Sequence, residues 1–186
     1  MIVLMAGLPG TGKSSIAAAL ARLLPATILD KDRIRPALFT PSGVDYTRDQ
    51  DDFCIQVMLD TAAFILTRNA RQPVILDGRT CSRAYQVQQV RACADRISHH
   101  LAIIECVCDD ATAQRRLDND AATGRHPAAN RTFALYQTLN ATAEPIPDPK
   151  LVLNTDGGIN ECIGKCLSHL QEVGRTTTDS ADPAVG

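Results

Sequence analysis

The sequence predicts an α/β fold: a central, mostly parallel five-stranded sheet between two layers of helices. Three observations predict it. Short apolar runs alternate with stretches of helical periodicity, the order that builds a parallel sheet covered on both faces. Val74-Ile75-Leu76 is apolar at every position and bounded by Pro73 and Gly78, the pattern of a strand buried on both sides. A glycine-rich loop joins the first apolar run directly to the first helical stripe.

Taken in order, residues 2–6 predict the first strand, and Ile16, Leu20, Leu23 and Leu24 the apolar stripe of the first helix. Residues 26–30 predict the second strand. A short helical piece follows from Arg33 to Phe39, disturbed by Pro36, and Pro41-Ser42-Gly43 predicts a loop. Phe53, Val57, Phe64 and Ile65 mark a long helix over 49–68. Residues 74–77 form the third strand, Val87, Val90, Ala94 and Ile97 share a helix face, and 101–108 form the fourth strand. Residues 110–118 predict a helix ending in an arginine pair, followed by a polar stretch over 118–131 that holds Gly124 and Pro127. A helix over 132–142, a stiff connection through Pro145, Pro147 and Pro149, and a last strand at Leu151-Val152-Leu153 come next. Ile159, Ile163, Cys166, Leu167 and Leu170 give the final amphipathic helix. Residues 174–186 are small and polar and predict a disordered tail, which leaves 1–173 as one domain.

The 186 residues are 45% apolar, enough for one packed core. A net charge of -2 excludes a general basic field for holding polyanions. Fifteen of the 19 basic residues are arginine, whose forked donors suit phosphate and carboxylate, although a GC-rich coding sequence gives the same bias. The seven cysteines are odd in number and none forms a Cys-x-x-Cys pair, so they predict reduced core residues. Residues 1–6 lack a basic leader and no apolar run has membrane-spanning length, which predicts a cytoplasmic protein with no membrane partner.

Residues 7–14, Gly-Leu-Pro-Gly-Thr-Gly-Lys-Ser, match G-x-x-x-x-G-K-[ST] in full, between a strand and a helix as that motif requires. The glycines let backbone N–H groups turn toward phosphate oxygens, and the helix N-terminus adds a positive end. Lys13 reaches the β- and γ-phosphates, and the Ser14 hydroxyl suits Mg²⁺. The predicted ATP-binding set is Leu8, Pro9, Gly10, Thr11, Gly12, Lys13, Ser14 and Ser15.

Asp30-Lys31-Asp32-Arg33-Ile34-Arg35 directly follows the second strand, whose carboxyl end opens on the same crevice. Transfer of a phosphoryl group to an alcohol needs a carboxylate to orient the hydroxyl and take its proton, and Asp32 is assigned that role. Asp30 either holds Mg²⁺ or its waters, caps the following helix, or does both. Arg35, one turn after Asp32, suits an anionic group on the acceptor.

The two motifs together resemble the small P-loop kinases related to polynucleotide kinase, zeta toxin and shikimate kinase, over roughly residues 1–170 in element order. The resemblance implies a three-layer P-loop NTPase fold with a helical lid. In polynucleotide kinases an aspartate with an arginine three residues on supplies the base and a substrate-phosphate contact, which fall on Asp32 and Arg35. In shikimate kinases the D-x-D pair supplies a metal-side and a substrate-side carboxylate, which fall on Asp30 and Asp32.

Asp77-Gly78-Arg79 closes the third strand, where Asp77 suits either Mg²⁺ or the acceptor. Arg79 and Arg83 suit an anionic acceptor, and Arg83 equally suits a plain helix surface. Arg115-Arg116 and residues 118–131 resemble the lid of these kinases over 115–131, with Arg116 and Arg131 closing on the phosphates and Arg125 in reserve. Asn154-Thr155-Asp156 is expected beside the adenine and as the cap of the last helix, which adds Arg116 and Thr155 to the ATP-binding set. The His99-His100 pair and His126 are read as structural.

The expectation is an ATP-dependent kinase with an alcohol acceptor. Lys13, Asp32, Arg116 and Arg131 are catalytic; Asp32, Arg35, Asp77 and Arg79 face the substrate; Ser14 and Asp30 hold Mg²⁺. The acceptor is a hydroxyl-bearing small molecule or the 5′ end of a short nucleic acid, since seven aromatics and a slightly acidic chain disfavour a long strand. Its pocket is expected along residues 38–70. Two other readings are an NTPase switch without an acceptor and a zeta-toxin-like nucleotide-sugar kinase.

Overall fold

The computed structural model describes residues 1–124 and 131–175. The elements run β1 (Ile2–Ala6), α1 (Lys13–Leu23), β2 (Thr27–Asp30), α2 (Lys31–Leu38), α3 (Arg48–Arg68), β3 (Val74–Asp77), α4 (Ala84–Arg96), β4 (Leu101–Val107), α5 (Asp110–Thr123), α6 (Phe133–Thr142), β5 (Leu151–Asn154) and α7 (Ile159–Arg175). A short 3₁₀ turn at Pro41–Gly43 replaces the loop expected there.

The sheet order is β2-β3-β1-β4-β5. Every pair is parallel, so the sheet is wholly rather than mostly parallel. β1 lies between β3 and β4, and the chain winds away from it in both directions. That makes the loop after β1 the point where an open α/β sheet places its ligand crevice. All five β1 residues are buried. Ile2, Leu4 and Ala6 face a core filled by α3 and α4 residues such as Met58, Leu59 and Val90. Val3 and Met5 face a second core filled from α1 and α7 by Leu20, Cys166 and Leu170.

Several elements differ from the sequence expectation. Phe53 and Phe64 are 54% and 58% exposed, and α3 instead buries Cys54, Ile55, Met58, Leu59, Ala62 and Leu66. The true stripe includes Cys54 and Ala62 beside Ile55, Met58, Leu59 and Leu66, and the large aromatics misdirected the phase. Leu23 likewise faces out. α2 begins at Lys31, capped by the Asp30 carboxylate accepting from Asp32 N–H at 2.9 Å. Pro36 sits inside it, where it removes only the N–H that would bond the Asp32 carbonyl. α5 continues to Thr123 and ends on Gly124 in the left-handed region, so Arg115 and Arg116 lie mid-helix. Residues 174 and 175 belong to α7. The rest of the expected tail, and Arg125, His126 and Pro127 of the expected lid, lie outside the described residues.

All seven cysteines are free. Burial pushes the Cys81 thiol up to about 11 and Cys106 to about 12, which makes them unreactive packing residues. Among the described residues, no helix is long and apolar enough to cross a membrane.

Candidate active site

The loop Gly7–Ser14 leaves buried β1 and turns into α1. Gly7 adopts φ 126°, and a Cβ there would run into the Cys106 carbonyl of β4. Gly10 adopts φ 81°, and its Cβ would stand 2.9 Å from the Ala113 carbonyl of α5. The loop is thus clamped between β4 and α5 at contacts only glycine permits. Lys13 Nζ donates to the Gly7 and Leu8 carbonyls, both at 2.7 Å. Burial lowers the Lys13 pKa, and nearby Asp77 opposes that shift. A buried ammonium that hydrogen-bonds only backbone carbonyls among the described residues is a ready counter-charge for an anion.

The loop forms one wall of a cavity of about 670 Å³. Pro9, Gly10, Gly12, Lys13, Ser14 and Ser15 line it. Leu8 and Thr11 line a smaller cavity of about 180 Å³ on the far side of the loop.

Asp30 and Asp77 end adjacent strands and are register partners. Asp77 is 2% exposed, and its Oδ1 has no hydrogen-bond partner among the described residues. Burial raises the Asp30 pKa first, and the neighbouring Asp77 charge raises it further. Two carboxylates crowded in a low-dielectric place, one with an orphaned oxygen, call for a cation. With the exposed Ser14 hydroxyl at the start of α1 they fit Mg²⁺, which takes few protein oxygens and keeps its waters. Among the described residues, no group of three His, Cys, Asp or Glu side chains gathers as a metal cage.

Another part of the lining comes from α2 and α3. Asp32 lines the cavity, 3.6 Å from Lys31 Nζ and 3.8 Å from Arg35 Nη1. Asp51 of α3 accepts from Lys31 at 3.1 Å and from Arg35 Nη2. Arg35 is 2% exposed and also lies over the Tyr46 ring at 4.8 Å. The two cations and two carboxylates balance one another.

The third wall carries the expected lid arginines. Arg116 donates to the Gly10 carbonyl at 3.3 Å, to Thr155 Oγ1 at 3.0 Å and to the Thr155 carbonyl at 2.7 Å. Thr155 Oγ1 in turn donates to the Thr11 carbonyl at 2.9 Å, tying the β5 end to the glycine loop. Arg131 bonds Asp120 at 3.1 Å and lines the same cavity.

A family model described as an AAA domain matches residues 2–145. The chain belongs to that AAA domain family. Three solved structures share its fold. A provisionally described kinase from Chloroflexus aurantiacus J-10-fl is 24% identical with a TM-score of 0.71, covering 91% of this chain and 98% of the other. A gluconokinase from Sinorhizobium meliloti 1021 is 17% identical with a TM-score of 0.69 and 97% of each chain covered. The Mycobacterium tuberculosis APS kinase, bound to AMPPNP and APS, is 20% identical with a TM-score of 0.69, covering 91% and 96%. No curated protein matches the sequence. The fold is therefore that of the small P-loop kinases, as the sequence motifs implied.

Within this AAA domain, Lys13, Ser14, Asp32, Arg35, Arg116, Arg131 and Thr155 converge on one cavity. Asp30, Asp77 and Arg79 stand apart from its lining; Arg79 is buried, pairs with Asp52 and donates to Gln89 at 2.9 Å, joining the β3 end to α3 and α4. Arg83 lines the cavity while donating to the Thr142 carbonyl at 2.6 Å and facing Glu144 at 3.5 Å. Asp156 does not cap α7, which starts three residues later; its carboxylate accepts from Asp109 N–H at 3.1 Å, at the start of α5. Tyr46, Arg48 and Asp51 fall within the 38–70 segment expected near the acceptor, but sequence reasoning singled out none of them, nor Lys31. Lys31 stood in the quoted acidic cluster, and a lysine between two aspartates was the available signal. Asp51 had none, because its role depends on how α3 docks.

Proposed function

We propose that this chain is an ATP-dependent kinase that moves the γ-phosphoryl group of ATP to a hydroxyl group on a small molecule or a nucleic-acid 5′ end. The observation that carries it is that the Asp32 carboxylate shares one cavity with the glycine loop, Lys13, Arg116 and Arg131. A switch ATPase would use such a carboxylate on water or Mg²⁺ alone, so acceptor-stimulated turnover separates the two readings. In the kinase reading the loop amides and Lys13 hold the β- and γ-phosphates. Arg116 and Arg131 offset charge that spreads over the phosphoryl oxygens in the transition state. Asp32 accepts the acceptor's hydroxyl proton as its oxygen bonds to phosphorus and the bond to ADP breaks. Arg35 stands on the acceptor side. Ser14, Asp30 and Asp77 would hold Mg²⁺, which would supply neutralisation of the phosphate charge.

The test is Mg²⁺-dependent ATP turnover against a panel of sugars, nucleosides, hydroxy acids and 5′-hydroxyl oligonucleotides. One class should accelerate turnover, and Asp32→Asn should lower that rate about 10²–10⁴-fold with nucleotide affinity retained. Acceleration that survives Asp32→Asn would remove the base assignment.

A further inference from the structure

Helix α6 has two apolar faces, and the core accounts for only one. Phe133 and Tyr136 stack with ring centroids 5.4 Å apart and pack toward α5, beside Ala113 and Leu117. The Tyr136 hydroxyl also donates to Asp110 at 2.7 Å. Those contacts fix the rotation of the helix. Leu135 and Leu139 are four residues apart and so neighbours on another face. They are half-buried and line the large cavity instead.

The end of α6 is moored on the β3 side of the sheet. Arg83, just before α4, donates to the Thr142 carbonyl at 2.6 Å. Glu144 accepts from Ala84 N–H at 2.7 Å, and its own N–H donates to the Ser82 carbonyl at 3.0 Å. Leu139 stands one turn before Thr142 and so belongs to this side. Thr155, Gly157 and Ile159 enter the same cavity from the β5 end, on the other side of β1. The lining near α4 is neutral: Thr80, Ser82 and the buried amide of Gln86 share it with the leucines, and Arg83 is matched by Glu144 at 3.5 Å. A triphosphate and its metal gain nothing from two leucines. What the leucines can hold is the carbon body of the molecule that fills this end of the cavity. Side chains one turn apart, about 5–6 Å between Cβ atoms, offer a patch the size of one flat ring.

We infer that the phosphoryl acceptor is an uncharged alcohol carrying a flat apolar ring, and that Leu135 and Leu139 on α6 are the residues that select the ring. This rests on the kinase reading for the word acceptor, but the subsite is testable without turnover. Protein saturated with Mg²⁺ and AMPPNP, so that the glycine loop is filled, is titrated calorimetrically with 2-phenylethanol, uridine, glucose and glycerate. At least one of the first two should bind saturably, about tenfold or more tighter than glucose or glycerate, the scale of burying one ring face. Phenylethanol alone would assign an aryl alcohol, and uridine alone a nucleoside. Leu135→Ser and Leu139→Ser should each weaken that binding about tenfold, and Leu139→Met should bind nearly as wild type does. Thermal midpoints without ligand check that each variant is folded, and the wild-type ranking needs no variant. No binding of either ring alcohol, equal or tighter binding of glucose or glycerate, or serine variants that bind the ring as wild type does, overturns the inference. If a ring alcohol binds as expected but no alcohol accepts phosphate from ATP, the kinase reading fails and the subsite stands. If glucose or glycerate is phosphorylated equally well by wild type and Leu139→Ser while ring alcohols are not, the kinase reading stands and this inference falls.

Discussion

Asp30 does two jobs whose electrostatics pull apart. Its carboxylate caps α2, which wants an acceptor, yet burial and Asp77 raise its pKa, so ionising it costs the folded state. With the folded pKa above the ordinary aspartate value, the native state binds more protons than the unfolded one across that interval, and stability falls as pH rises through it. Asp30→Asn keeps a good cap and removes the charge. The variant should therefore lose less stability than wild type as pH rises from about 4 through the raised pKa, measured by denaturant midpoints without Mg²⁺. Saturating MgATP at a hundredfold excess over Kd adds about 2.7 kcal/mol to wild type, and Asp30→Asn should keep less than half of that. An unchanged MgATP response would take Asp30 out of the metal site.

The glycine loop behaves as an element because its two neighbours fix its shape. Gly7 presses on the β4 backbone and Gly10 on α5, so the loop cannot relax without moving the sheet. Gly7→Ala should cost at least about 1–3 kcal/mol from backbone strain alone, read as a lower denaturant midpoint with unchanged slope, and should abolish AMPPNP binding. A wild-type midpoint would mean the loop is softer than its contacts imply. The place of this loop between β1 and α1 was legible in the sequence from its glycine spacing, whereas the turn of Leu8 and Thr11 toward the smaller cavity was not. The Asp30–Arg35 cluster was legible for a similar reason, because it follows a strand end that topology directs to the crevice. The face of α3 was not: Phe53 and Phe64 outweigh Cys54 and Ala62 on any hydrophobic scale, and only packing against β1 and β3 decides the phase. The length of α5 was hidden by its polar second half, which packs too little to show a stripe.

Across the whole molecule, the parallel sheet brings the ends of β1, β2, β3 and β5 to one rim. β1 leads to the glycine loop, β2 to Asp32, β3 to Gly78 and Thr80, and β5 to Thr155 against Arg116, all of which line the cavity. A chain of net charge -2 thereby concentrates Lys13, Arg116, Arg131 and Arg48 around one cavity. The most direct test is the crystal structure of the protein with Mg²⁺ and AMPPNP, read for the separation between the Asp32 carboxylate and the terminal phosphorus. The account predicts roughly 6 Å, room for one alcohol oxygen hydrogen-bonded to the carboxylate and in line with the phosphorus. A terminal phosphate seated beyond reach of Asp32, or a glycine loop that leaves the triphosphate unbound, would contradict it.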